Sequence, residues 1–276
     1  HSSNILARIK RGYLFAFDQD SEAIRHSTER LSSIGTNFTI IKSNFVNLKE
    51  ELAKQNIHKV DGVLFDLGVS SPQLDDKTRG FSYHEDSRLD MRMDKDNPIS
   101  AYEVVNNYTK EELANIFYKY GEDKFSRNIA KKIVEYRENK PIETTLELVE
   151  IIKSAVPMKF RKDKHPARQI FQAIRIEVNH ELDVIEPALE QALSILNVHG
   201  RVAVITFHSL EDRIVKNFFK EKCAIDPKVQ GMPNIPDEYL PDFKLVVNKA
   251  IVPTEEELKN NSRARSAKLR VIERIK

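Results

Sequence analysis

One cysteine, Cys223, stands in the 276 residues. No disulfide can form within the chain, and the expected setting is a reducing, cytoplasmic one. No cysteine–histidine cluster has the spacing of zinc ligands, and no metal is expected. No run of about 18 apolar residues occurs, so no membrane-spanning helix is expected. No secretory leader is visible at the His1-Ser2 start. Charge of one sign is also scarce. The formal net charge is +2, so the chain is not a global polycation.

What is there suits a globular enzyme of one large domain or two smaller ones, with 40% hydrophobic and 31% charged residues. The charge is unevenly placed. Residues 153–176 hold Lys153, Lys159, Arg161, Lys162, Lys164, Arg168 and Arg175 against Asp163 alone. Residues 259–276 hold Lys259, Arg263, Arg265, Lys268, Arg270, Arg274 and Lys276 against Glu273 alone. Two basic patches on a near-neutral body point to local contact with phosphates, with solvated basic faces as the alternative.

The first third alternates strands and helices. Val63, Leu64 and Phe65 form an apolar run that ends on Asp66, the pattern of a buried parallel strand whose carboxyl end faces a ligand. Gly68 and Pro72 break the run, which predicts a loop over residues 67–73. Tyr13 to Phe17 is a strand ending on Asp18. In a dinucleotide-type fold, an acid in that place accepts hydrogen bonds from ribose hydroxyls. Such a fold also needs a glycine-rich turn about 20 residues earlier, and none is present. The first strand and its glycine loop are therefore expected to be missing from these residues. Phe38 to Ile41 is the next strand, followed by Asn44-Phe45, and helices are expected at 1–9, 21–31 and 48–55. Residues 76–100 are polar and irregular. Asp86, Asp90, Asp94 and Asp96 sit among Arg88, Arg92 and Lys95 there, which reads as salt-bridged loop packing rather than a metal site.

From Glu111 to Pro157 the period changes to that of helices. Leu113, Ile116, Phe117 and Tyr120 form one stripe, Ile129, Ala130, Ile133 and Val134 a second. Thr144-Thr145 with Glu147 opens a third helix as a capping box. Helices without intervening strands read as an inserted helical subdomain. Pro166 to Leu182 continues the pattern, with Arg168, Gln172, Arg175 and Asn179 as a polar stripe suited to an RNA backbone or to solvent. Alternation then resumes. A helix from Ile185 to Leu196 is stopped by Gly200, the strand Arg201 to Phe207 delivers His208, and Ser209 caps a helix with Asp212 at its third position. Strands are expected at Lys244–Ile251 and Lys268–Ile275. The chain divides into 1–100 and 181–276 of an α/β domain around an inserted helical substrate-recognition segment, 101–180.

Asp66-Leu67-Gly68-Val69-Ser70-Ser71-Pro72-Gln73-Leu74-Asp75, Arg79-Gly80-Phe81-Ser82 and Leu89-Asp90-Met91-Arg92-Met93-Asp94 together resemble the bacterial 16S rRNA (cytosine-N4)-methyltransferase family. The likeness extends to Ala167–Asn179, Thr206–Arg213 and Ser262–Ser266, and so over nearly the whole chain. The resemblance implies a class I, Rossmann-like methyltransferase sheet and methyl transfer from S-adenosyl-L-methionine to a cytidine of the small-subunit decoding region. It implies that His1, Asp18, Phe45, Asp66 and Gln73 contact the cofactor. Ser70, Ser71, Arg168, Arg175, Arg263 and Arg265 would meet the RNA, with 16S rRNA or the small ribosomal subunit as partner, and a homodimer is one assembly the sequence allows. Asp66 and His208 are the candidate catalytic residues. The loop after Asp66 lacks the aromatic residue that other amino-methyltransferases use to stack the base, leaving Phe81 or Tyr83 as candidates. Two alternatives remain open: an RNA-binding protein on a degenerate fold, and a methyltransferase of another substrate.

Overall fold

The computed structural model describes residues 1–161, 165–229 and 231–276. Lys162, Asp163 and Lys164 of the first basic run lie outside them. In chain order the helices and strands are α1 (Ser2–Arg8), β1 (Leu14–Asp18), α2 (Ser21–Ser32), β2 (Phe38–Lys42), α3 (Leu48–Lys54), β3 (Val60–Asp66), α4 (Ser71–Asp75), α5 (Ala101–Asn107), α6 (Lys110–Lys119), α7 (Ser126–Arg137), α8 (Thr145–Ala155), α9 (Ala167–Asn179), α10 (Ile185–Ile195), β4 (Leu196–Thr206), α11 (Ser209–Lys222), β5 (Phe243–Leu245), α12 (Glu255–Asn260) and β6 (Lys268–Arg274). Contacts divide them into two units, one of His1–Gly68 with Leu182–Lys276 and one of Val69–Glu181.

The first unit is α/β. β1 pairs with β2 in parallel, Leu14 opposite Phe38 through Asp18 opposite Lys42. A second sheet runs β3-β4-β6-β5, with β3 parallel to β4 and β6 antiparallel to both of its neighbours. No ladder joins β1 to β3. Phe65, Val202, Val204 and Ile272 bury their side chains against Leu48 and Leu52 of α3, Leu189 and Leu193 of α10, and Val215 and Phe219 of α11. The helix expected to Leu196 ends within a residue of that point, but Gly200 is not its stop, and the strand expected from Arg201 starts earlier. α10 ends at Ile195 and β4 begins at once. Gly200 is needed inside the strand, because a Cβ there would lie 2.8 Å from the Asn197 carbonyl oxygen and 2.9 Å from that of Asp61. The expected strand 244–251 shrinks to Phe243–Leu245, with a single further bridge between Ile251 and Leu269.

The second unit is helical. Leu113, Ile116 and Phe117 of α6, Ile129 and Ile133 of α7, and Leu148 and Ile152 of α8 are buried, as their 3.6-residue period requires. The capping boxes of α6 and α8 form at Thr109/Glu112 and Thr144/Glu147. α5 was not foreseen, although Ser100 and Glu103 cap it in the same way. Contacts place 69–100 with the helices, where the sequence reading began the insertion at 101. The cause is a set of bonds to α9. The Asn179 side chain accepts from the Met93 N–H (2.8 Å) and donates to the Met91 carbonyl (2.8 Å), and Asn97 donates to the Val178 carbonyl (3.0 Å). Leu89, Met91 and Met93 are buried by this packing. Their alternation with Asp90, Arg92 and Asp94 belongs to a loop and not to a strand, since Met91 has φ +60°.

Charge pairing completes the first unit. Asp212 of α11 accepts from Arg270 (2.7 and 3.2 Å) and Lys268 (3.0 Å) of β6, and Glu273 meets Arg201 (2.7 Å) and Lys244 (3.1 Å). Partial burial pushes the Asp212 carboxyl up, but the bonds from Arg270 and Lys268 outweigh it and leave the group below its ordinary value. A carboxyl depressed on folding contributes its full stability above the unfolded value and loses it as pH falls through the folded one. Asp212→Asn is therefore expected to cost roughly 1–3 kcal/mol at neutral pH, by leaving half-buried cations unpaired. In urea unfolding the difference from the parent should shrink once the pH is below about 4. An equal difference at pH 7 and pH 3 would contradict the pairing.

Candidate functional site

Four strand ends of the first unit are tied together. At the end of β1, the Asp18 side chain accepts from the Asp20 N–H (2.8 Å), and Asp20 in turn caps α2 at Glu22 (3.0 Å). The Asp18 carbonyl accepts from the Ser43 N–H just beyond β2 (3.0 Å). Asn44 then caps a 3₁₀ turn, Phe45–Asn47, and so fixes the course of the chain at Phe45. The Phe45 ring meets Phe65 of β3 edge to face, with centroids 5.5 Å apart. Asp66 follows Phe65, and the Leu67 N–H bonds to the Ile205 carbonyl of β4 (3.1 Å). Asp18, Phe45, Asp66 and His208 thus border one connected rim. The β-αβ pattern places them at strand carboxyl ends, where open α/β sheets receive ligands.

Asp18 and Asp66 are both raised from their ordinary value, chiefly by desolvation. At Asp66 the Glu211 charge adds to the rise. The Asp66 side chain keeps 49% of its exposure, and His1 Nε2 lies 3.5 Å from its Oδ2. Two acceptors whose negative form is held in a partly dry place are suited to a ligand that supplies hydroxyl donors or positive charge.

His208 lies where β4 delivers it, but its role in the turn differs from the sequence reading. It is His208, not Ser209, that caps α11, and Glu211, not Asp212, that occupies the third position. Glu211 is 1% exposed and accepts from the Phe207 N–H (2.7 Å) and the His208 N–H (3.2 Å). Its Oε1 also lies 3.1 Å from His208 Nε2, without hydrogen-bond geometry, and both ring nitrogens are buried without a hydrogen-bond partner. Gly68, at φ +84°, passes the same carboxylate, with 3.5 Å between Glu211 Oε1 and the place of a Cβ. Glu211 is the residue the sequence reading missed. Its signal was the three-residue spacing from His208, read one position too late.

Of the other expected residues, Ser70, Ser71, Gln73, Arg168 and Arg175 lie in the second unit. Residues 67–73 are not all loop. Ser70 caps α4 through a reciprocal box, accepting from the Gln73 N–H (3.3 Å) while Gln73 Oε1 accepts from the Ser70 N–H (3.0 Å). Pro72 is tolerated because it lies in the first turn. Gln73 is buried, and Ser70 and Ser71 are exposed. Phe81 is buried with the Arg79 guanidinium over its ring, which takes it from the list of base-stacking candidates. Tyr83 stacks on His165 (4.8 Å, 22°) and meets Phe171 edge-on. The polar stripe of α9 is only partly a free face. Arg168 is exposed, but Arg175 is held by Glu181 in a two-bonded pair (2.8 and 2.9 Å), Gln172 donates to the Tyr120 carbonyl (3.0 Å), and Asn179 is buried. In the first unit, Arg263 and Arg265 are exposed on a 3₁₀ turn, Ser262–Ser266, anchored by buried Ala264.

A family model, that of the MraW methylase family, matches residues 1–275. The chain belongs to the MraW methylase family. Among curated proteins, the ribosomal RNA small subunit methyltransferase H of Exiguobacterium sibiricum is 55% identical over 277 residues, covering 100% of this chain and 89% of that protein. Of solved structures, an rRNA methylase from Streptococcus thermophilus aligns with a TM-score of 0.39 at 11% identity, over 100% of this chain and 95% of that one. A Clostridium thermocellum protein aligns with a TM-score of 0.42 at 14% identity, over 99% and 82%. Likeness at that level carries no argument, and the fold rests on the ladders described above. Membership in the family makes the chain a methyltransferase, and the rim of strand ends is the place in it where acceptors and an aromatic ring converge.

The raised carboxyl of Asp66 has a consequence for stability opposite to that of Asp212. A carboxyl whose value rises on folding opposes folding at neutral pH, and the opposition fades as pH falls through the raised value. Asp66→Asn should therefore leave the ligand-free protein as stable as the parent or more so in urea at pH 7, with the two converging as the pH falls to the ordinary carboxyl range, about 4. A less stable variant at pH 7 would mean that the charged form of Asp66 holds the rim together.

Proposed function

We propose that this chain transfers a methyl group from S-adenosyl-L-methionine to the N4 amine of a cytidine in 16S rRNA. The observation that carries the reading is the joining of Asp18, Phe45 and Asp66 along one rim of strand ends. The residues fit the cofactor. Asp18, fixed by Asp20 and half-dry, is an acceptor for the two ribose hydroxyls. Phe45, held edge-on against Phe65, offers its ring to the adenine. Asp66 and His1 lie together on the same rim, nearer the amino-acid part, and Gln73 follows a few residues along the chain. When bound, the cofactor supplies an already activated methyl group. What the chain must add is alignment of the acceptor nitrogen, exclusion of water and an acceptor for the departing proton.

Asp66 is the better acceptor for an amino hydrogen of the cytosine. It is half-exposed, and its raised carboxyl is closer to a working base than an ordinary aspartate. The ring nitrogens of His208 are buried, so it fits the role of shaping the rim through Glu211 rather than meeting the base. Ser70 and Ser71 are exposed just beyond Asp66, and Arg168, Arg263 and Arg265 offer exposed cations to phosphates, with 16S rRNA or the small subunit as partner. Arg175 is the weakest of that set, because Glu181 already holds it. A base must leave its stack to meet a methyl donor, so loop or single-stranded RNA is the expected form of the substrate.

The test is transfer of labelled methyl from S-adenosyl-L-methionine to unmethylated small-subunit rRNA, with the product nucleoside identified by mass. N4-methylcytidine supports the reading. RNA binding without transfer would favour a binding protein, and transfer only to other acceptors a different methyltransferase. Asp18→Ala should lose roughly 2–4 kcal/mol of cofactor affinity in calorimetric titration, at about 1.5–3 kcal/mol per bond to a charged acceptor with water compensating in part. Unchanged affinity in a folded variant would remove Asp18 from the cofactor site.

A further inference from the structure

The helical unit carries a second feature that its fold does not require. A 3₁₀ turn, Met158–Phe160, follows α8 and meets the loop that opens α7. Phe160 and Phe125 lie 5.2 Å apart. Lys124 Nζ stands 3.7 Å from the Phe160 ring centroid and 5.3 Å from that of Phe125, and Lys159 Nζ stands 4.9 Å from that of Phe160. Met158 is 71% exposed. Neighbouring lysines of α7, α8 and the segment between them are paired on the spot: Lys131 and Lys132 with Glu135, Lys140 with Glu147 and Lys153 with Glu150. Lys124 and Lys159 form no ion pair among the described residues and rest on aromatic rings instead, although the charge of Lys124 is felt by the neighbouring Asp123 carboxyl.

The platform is also held in place. Gly121 packs so closely that a Cβ would lie 2.5 Å from the Phe117 carbonyl oxygen, and buried Asp123 accepts from the Phe125 N–H (2.6 Å). The Arg161 side chain donates to the Val156 carbonyl (2.8 Å), the Phe160 N–H to the Pro157 carbonyl (2.9 Å), and Asn128 to the Ala155 carbonyl. Two cations over one ring, neither in an ion pair among the described residues, with an exposed thioether beside them, have the chemistry of a single-stranded nucleic-acid platform. The cations take adjacent phosphates, and the apolar atoms take a base face.

We propose that Lys124, Lys159, Met158 and Phe160 form a docking platform for a single-stranded stretch of RNA on the helical unit, a proposal that rests on the rRNA reading above. The test uses the full chain with protein-free 16S rRNA and with the assembled small subunit, measuring binding against salt and methyl transfer in parallel. Lys124→Gln with Lys159→Gln should weaken RNA binding at least tenfold at 0.1 M salt and flatten the log–log salt slope by about 1.4, at about 0.7 per phosphate contact. Met158→Ala should weaken binding several-fold with the slope unchanged, since it removes contact and not charge. Lys131→Gln with Lys132→Gln, the paired lysines, should change neither. Parent-like slope and affinity in the Lys124/Lys159 variant, with methylation intact, would overturn the platform and leave the rRNA reading standing. A loss seen on the subunit but not on protein-free rRNA would assign the patch to a protein and also overturn it. A parent chain that binds rRNA with a slope the variant flattens, yet methylates none, would support the platform while defeating the methyltransferase reading.

Discussion

The candidate site depends on how β3 and β4 are held together at their carboxyl ends. Their parallel pairing carries Asp66 and His208 to the same edge, and the Leu67 N–H extends the pairing one residue past the strand. Beyond that point the ladder has no more partners to offer. Two N–H groups, those of Phe207 and His208, would be left in a place where a missing hydrogen bond is expensive. Glu211 takes both with one carboxylate, and the turn of Gly68 passes beside it. A glycine is required there because φ is +84° and any side chain would be strained. The rim is thus closed by a buried acid, while Asp66 beside it keeps half of its exposure.

Acids at the rim and acids away from it are shifted in opposite directions. Asp212 and Glu273 are surrounded by arginine and lysine and sit below their ordinary values. They hold β6 to α11 and β4, and they occupy Lys268, Arg270, Lys244 and Arg201 in doing so. Asp18 and Asp66 meet no arginine or lysine in the interactions of the described residues and are raised chiefly by desolvation. Carboxylates kept in that condition do not stabilise the fold, which is the usual mark of groups placed for a ligand. The same pairing explains why the C-terminal basic patch is smaller than its composition suggests. Lys268 and Arg270 are bound to Asp212, while Lys259, Arg263, Arg265 and Lys276 of the same patch are exposed.

The strand ends were legible in the sequence because apolar runs of three or four residues closed by an acid or by histidine have few other readings. β1, β2 and β3 and their terminal Asp18 and Asp66 follow from that pattern alone, and the helices from 110 to 155 follow from their periodicity. Polar residues bonded within the chain were harder to read. Arg175 and Asn179 share a helix stripe with Arg168, yet one is tied to Glu181 and the other to Met91 and Met93, distant in sequence. A stripe of polar residues does not announce which of them face water. The cap of α11 was misplaced by one residue because histidine is an uncommon cap while serine is a frequent one. The cofactor, the acceptor base and the RNA came from the likeness of whole motifs to a family, which no count of charge or period could have supplied.

The central claim is that the four strand ends act together as one cofactor site. Isotope-labelled protein titrated with S-adenosylhomocysteine would test it through the backbone amide resonances. The account predicts that the largest shifts gather at 18–20, 43–46, 66–68 and 207–211, at a common ligand concentration, while those of α6 to α8 stay still. Shifts confined to the helical unit, or at only one strand end, would contradict it.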